Sequence, residues 1–272
     1  MKRIEKEGQY IFESYNSTLE FIETVRGRPD RADWPTDTAR EKKGNKWSDG
    51  SLKENQKRFI EGDPKLFKLM KDLEPFVPKA NATGTRPQYF NGPVGYAPNV
   101  PNAIRGLPDS MISSRMEPKK AKIIDVLVDA GFSANVKPKE IAKFGNEVLN
   151  YIQKLERQGY RVRLSIFVAF SEEYSSKFYA CKIQLKNERQ PLAIKKLAYP
   201  LISCGMLRML FFDWLETCPN SEYVNHYGIP LYKKSKFYQL DILDKVRENP
   251  KQVYLYFGCN IAKEFNLGKD SF

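Results

Sequence analysis

Between residues 122 and 170 the spacing of apolar residues changes period twice. Residues 123–128 are apolar at all but one position and end at Asp129, and residues 162–170 form a second apolar run. Between them, residues 138–158 carry apolar side chains at helical spacing, and Gly159 follows. Continuous apolar runs suit strands buried on both faces, so the segment predicts a βαβ unit within a parallel sheet. Open α/β sheets bind ligands beyond the carboxyl ends of their strands. That places Asp129 and Ser133, in the loop 130–136, at the position where a site is expected.

Weaker patterns surround this unit. Residues 4–26 read as strand or coil followed by a short helix, with Ser17 and Glu20 as a capping box and Leu19, Phe21, Ile22 and Val25 as the apolar face. Residues 27–50 have no period and much charge, and read as a loop. A helix is expected over 51–60 and another from Pro64 to before Pro75. Residues 75–118 are punctuated by prolines but retain Tyr89, Phe90, Val94, Tyr96, Val100, Ile104, Leu107 and Met111. A disordered linker is poorer in such residues. The reading is an ordered, extended segment packed across the domain that follows. After residue 170 a short turn leads to an alternating strand over 178–185, and so tight a turn allows only an antiparallel neighbour. Helices are expected from Pro191, from Pro200 to Leu215, and over 237–249, with a last strand over 252–257. The expected architecture is α/β, a mixed sheet flanked by helices over 119–272, wrapped by an N-terminal region over 1–118.

Composition changes this picture at one point. Hydrophobic residues make up 41% and charged residues 29%, but the net charge is +12. Such an excess attracts polyanions by counterion release and steers them from a distance. No apolar run approaches the roughly 20 residues of a membrane span, and the first eight residues lack a signal peptide's apolar core. Cys181, Cys204, Cys218 and Cys259 are widely spaced and the chain has one histidine, His226. Zinc sites need clustered thiolates or imidazoles, so reduced thiols are the reading. Residues 83–86 are not a phosphate-binding loop, and Glu172 and Glu173 lie on a turn. Neither a nucleophilic triad nor a cofactor is expected, and the chain is read as non-enzymatic.

The order of elements from 122 to 257 resembles the von Willebrand factor A-type domain, a Rossmann-like fold. The resemblance implies a metal site written D-x-S-x-S after the first strand. Asp129 and Ser133 match its first and third positions, Gly131 replaces the middle serine, and Gly258, Cys259 and Asn260 stand where an acidic ligand would follow the last strand. A divalent cation needs several oxygens, so the site is read as degenerate and metal-free, with Asp129 instead capping the structure behind its strand. The whole chain, including residues 89–112, is similar to an uncharacterised family of tailed-phage proteins. Among phage roles, charge and size fit the single-stranded-DNA-binding activators of podovirus early transcription, which bring a phage RNA polymerase to promoters in the cytoplasm of the infected host cell.

Two loops carry the residues such binding would use. Arg40, Lys42, Lys43, Lys46 and Trp47 form the first; Lys233, Lys234 and Lys236, beside Tyr232, Phe237 and Tyr238, form the second. Cations next to rings are what a single-strand groove requires, because phosphates pair with the cations and unpaired bases stack on the rings. The other reading is solvated loops whose rings fold inward. The alternative function is a protein-binding adaptor that uses the carboxyl end of the sheet.

Overall fold

The computed structural model describes residues 1–6, 10–30, 39–40, 48–69, 85–118, 122–171, 178–221 and 252–261. The βαβ unit is present. Strand β6 (Ile123–Asp129) leads into helix α5 (Pro138–Arg157) and returns as β7 (Arg161–Ser171), parallel to β6 with Val126 opposite Leu164. Ile124, Val126, Leu127 and Val128 are all buried, as a strand covered on both faces requires. Helix α5 buries Val148, Leu149, Ile152 and Leu155, and Gly159 ends it with φ of 93°.

Strand β8 (Phe178–Lys186) runs antiparallel to β7, as the short turn requires, and β9 (Val253–Leu255) runs parallel to β6 on its other side. The alternation of residues 178–185 would suit a half-exposed strand at the sheet's edge, but Tyr179–Ile183 are all buried and β8 has a neighbour on each side. The N-terminal strands β1 (Lys2–Lys6) and β2 (Tyr10–Tyr15) extend the sheet, with β2 parallel to β8, and the full order is β1-β2-β8-β7-β6-β9. The sheet therefore crosses the 118/119 division, and residues 2–15 belong to the α/β layer rather than to a region wrapped around it.

Apart from the short helix over residues 100–104, the described helices gather on one face of this mixed sheet. Helix α1 (Thr18–Arg26) begins where Ser17 accepts a hydrogen bond from the Glu20 N–H, and α2 (Leu52–Glu61) begins with a Ser51/Glu54 capping box. Helix α3 (Pro64–Leu69) follows. Phe21, Ile22, Val25 and Phe59 join Ile166, Val168 and Phe170 of β7 in one apolar cluster. A second cluster joins α5 to helix α6 (Ile194–Ile202), which has Pro200 inside its last turn rather than opening a new helix. Gly145 makes the approach of these helices possible, since a Cβ there would lie 2.1 Å from the Leu201 carbonyl oxygen. A π-helical turn (Met206–Phe211) and helix α7 (Phe212–Thr217) complete this face. Phe12, Leu127, Phe167 and Tyr254 are buried on the opposite face.

Residues 85–118 depart from the expected packing. Strands β3 (Thr85–Gly92), β4 (Ala97–Pro98) and β5 (Met111–Pro118), with the short helix α4 (Val100–Ile104), make a separate antiparallel sheet of order β3-β5-β4. Its apolar residues do not pack across the larger sheet: Tyr89, Phe90, Val94, Tyr96, Val100, Ile104 and Leu107 are exposed. The helix expected over 237–249 lies outside the described residues.

Candidate nucleic-acid interface

At the carboxyl end of β6 the backbone turns sharply and Asp129 is fixed inside the turn. The residue is 3% exposed; Oδ1 accepts a hydrogen bond from the Gly131 N–H at 2.7 Å, and Oδ2 accepts one from the Tyr254 hydroxyl at 2.7 Å. The Asn135 N–H points to Ser133 Oγ at 3.5 Å, the outer limit for a hydrogen bond. Arg208, buried in the π-helical turn, donates to the Ala134 and Val136 carbonyls and lies 5.2 Å from the Phe132 ring centroid, tying down the same loop. The recess beside Asp129 is lined mainly by apolar groups, among them Phe132, Ile141, Phe144, Leu201 and Met206. Among the described residues no three His, Cys, Asp or Glu side chains gather as metal ligands. Asp129 and Ser133 do not fit a cation: the carboxylate that would lead the set already holds a backbone N–H and a tyrosine.

The first basic loop is described only at residues 39–40. Arg40 faces the protein interior rather than a phosphate. Its guanidinium donates to Asp213 Oδ1 at 2.7 Å, to Asp30 Oδ1 at 2.8 Å and to the carbonyls of Arg28 and Val25, and the neighbouring Ala39 N–H donates to Glu216. Burial pushes the Asp213 carboxyl up to about 6, against the opposing pull of Arg40. Lys42, Lys43, Lys46, Trp47, Lys233, Lys234 and Lys236 lie outside the described residues, as do Glu172, Glu173 and His226.

A basic surface with a ring in it does form elsewhere, where α3 packs on α6. The approach is close: a Cβ on Gly62, at φ of 88°, would lie 2.6 Å from the Lys195 carbonyl oxygen. Lys65 and Lys68 of α3 and Lys195 and Lys196 of α6 thus lie on two helices in contact, and all four are exposed. Phe67 keeps 38% of its surface accessible, with Lys195 Nζ 5.5 Å from its ring centroid. Among the described residues none of the four lysines forms an ion pair. Of the nearby carboxylates, Asp63 caps α3 by accepting from the Lys65 N–H and meets Arg58 Nε, Glu61 faces Lys57, and Glu54 interacts electrostatically with Lys65. Exposed ammonium groups near an accessible ring can hold phosphates and stack a base. Local reading of the sequence missed it because the two lysine pairs are 127 positions apart between Lys68 and Lys195 (195 − 68). Their shared signal is position, since each pair sits in a helix that begins at or shortly after a proline, Pro64 or Pro191.

No helix among the described residues is long and apolar enough to cross a membrane. The chain belongs to the family described as a domain of unknown function, DUF7192, whose model matches residues 3–265. Comparison with curated proteins and with solved structures found no match.

Proposed function

We propose that this is a non-enzymatic protein that binds nucleic acid, with single-stranded DNA its preferred form. The observation that carries this reading is the α3–α6 surface, where Lys195 lies over the accessible ring of Phe67 and Lys65, Lys68 and Lys196 are exposed on the same two helices, none of the four in an ion pair among the described residues. The net charge of +12 adds long-range attraction to the same ligand. A stacking ring favours unpaired bases, because paired bases are already stacked on their neighbours. In the phage setting that the sequence resembles, a protein bound to opened DNA would bring a phage RNA polymerase to its promoter. The loops at 42–47 and 233–236 would extend the phosphate contacts.

The test is fluorescence anisotropy with a labelled oligothymidine and a duplex of equal length, titrated across a range of salt. The single strand should bind more tightly, with log K falling linearly in log salt. Negligible binding of both forms at about 50 mM salt would end the proposal.

A further inference from the structure

Helix α3 has little of its own to hold it in place. It is six residues long, too short to be stable alone, and among its described side chains only Leu66 packs against the apolar clusters. A run of charged and polar groups starts at its N-cap and ends on α6. Asp63 is 5% exposed; Oδ1 accepts from the Lys65 and Leu66 N–H groups at 2.7 and 3.2 Å, and Oδ2 lies 3.3 Å from Arg58 Nε. The same guanidinium, carried on α2, places Nη1 2.9 Å from Asp49 Oδ2. Asp49 stands at φ of 57°, a conformation that residues other than glycine seldom adopt. Its Oδ2 accepts a hydrogen bond from the hydroxyl of Ser203, the C-cap residue of α6.

Arg58 therefore links the cap of α3 to the end of α6, the two helices that carry the lysine surface. A guanidinium suits this place, because its planar fork can face two carboxylates at once and an ammonium cannot. Glu54 also feels its charge, but the Glu54 carboxylate is bound by the Ser51 N–H and hydroxyl. We propose that Arg58 is a positioning residue of the nucleic-acid surface: by bridging Asp63 and Asp49 it sets α3 against α6 and keeps Phe67 beside Lys195, where a base can stack. The inference rests on the α3–α6 reading of the site. Engaged by two carboxylates, the guanidinium acts through Phe67 and contacts no phosphate itself.

Anisotropy titrations with a labelled oligothymidine, alongside thermal melts of the full chain, test this. Arg58→Ala should weaken single-strand binding about five- to tenfold, within the range of one lost stack, and leave the slope of log K against log salt unchanged. Its melt should fall by no more than about 4 °C, as for a partly exposed ion pair. In Arg58→Ala combined with Phe67→Ala the loss should not exceed that of Phe67→Ala alone, because Arg58 acts through the ring. Arg58→Lys, which keeps the charge without the fork, should recover part of the affinity. If Arg58→Ala does not fold, Asp63→Asn carries the same test, since it keeps the helix cap and removes the charge opposite Arg58. No wild-type binding, or binding indifferent to Phe67→Ala, overturns this inference together with the site. Binding that depends on Phe67 but is unchanged in Arg58→Ala, or losses that add in the double variant, overturn it alone.

Discussion

Trp214 Nε1 donates a hydrogen bond of 2.6 Å to Glu13 Oε2, linking the second strand of the sheet to helix α7 across the fold. Glu13 is fully buried and gathers four more donors: Arg3, Arg28, the Tyr15 hydroxyl and, more weakly, the Cys218 thiol. Burial opposes its ionisation, but the Arg28 charge and the hydrogen bonds from Tyr15, Arg28 and Trp214 outweigh that and hold its pKa below the ordinary value. A carboxylate so enclosed is the centre of a structural network and not a free base.

Glu13→Gln should therefore destabilise the protein by about 3–5 kcal/mol at neutral pH, the usual result of leaving a buried charge without its partner. Because the folded pKa is depressed, this stabilisation is present above the unfolded value and is lost as pH falls through the folded one. The gap between wild type and variant in urea denaturation should shrink on acidification. A variant within about 1 kcal/mol of wild type at neutral pH would mean that the network contributes little net stability.

Asp213 behaves oppositely. Its folded pKa is raised from 3.8 to about 6, so the folded state holds a proton that the unfolded state has released between those values. Stability arising at this position should fall as pH rises from about 4 to about 6, by on the order of 3 kcal/mol. The measurement is the difference between wild type and Asp213→Asn in urea denaturation across that window, which cancels titration elsewhere. A difference that stays flat with pH would mean that Arg40 fully compensates the burial.

How far the sequence could be read follows from the range over which each residue acts. The apolar runs of β6 and β7, the helical period of α5 and the cap at Ser17 are local signals, and each predicted its element. The place of β2 beside β8 was not legible, because Ile11 and Phe12 pair with Tyr179 and Ala180 through a long-range parallel contact that short windows cannot carry. The exposure of Tyr89 and Tyr96 was misread for a related reason. Apolar residues threaded among prolines signal burial, whether within the chain or against a partner. Arg40 looked like a phosphate ligand because its partner Asp213 is distant in sequence, and the lysines of α3 and α6 went unnoticed because only packing brings them together.

The turn after β6 gives a prediction about metal. Both oxygens of Asp129 accept hydrogen bonds, one from the Gly131 N–H and one from the Tyr254 hydroxyl. Millimolar Mg²⁺ or Mn²⁺ should leave the melting temperature unchanged. Asp129→Ala should cost about 1–3 kcal/mol by leaving the Gly131 and Tyr254 donors without a partner. A melt raised several degrees by Mg²⁺, and no longer raised in Asp129→Ala, would reveal a real ligand set.

The lysine surface and Arg40 make opposite predictions in the same binding assay. Each phosphate contact on a single strand contributes about 0.7 to the slope of log K against log salt. Replacing Lys65, Lys68, Lys195 and Lys196 together by Ala should therefore flatten that slope by about 3. Phe67→Ala should weaken single-strand binding by about 1–3 kcal/mol and leave the slope unchanged, because stacking releases no counterions. Arg40→Ala should lower thermal stability and leave the slope intact, because its guanidinium already serves Asp213, Asp30 and two carbonyls inside the fold. If the slope follows Arg40 and ignores the four lysines, binding occurs on the 40–47 loop and the α3–α6 surface is ordinary solvated charge.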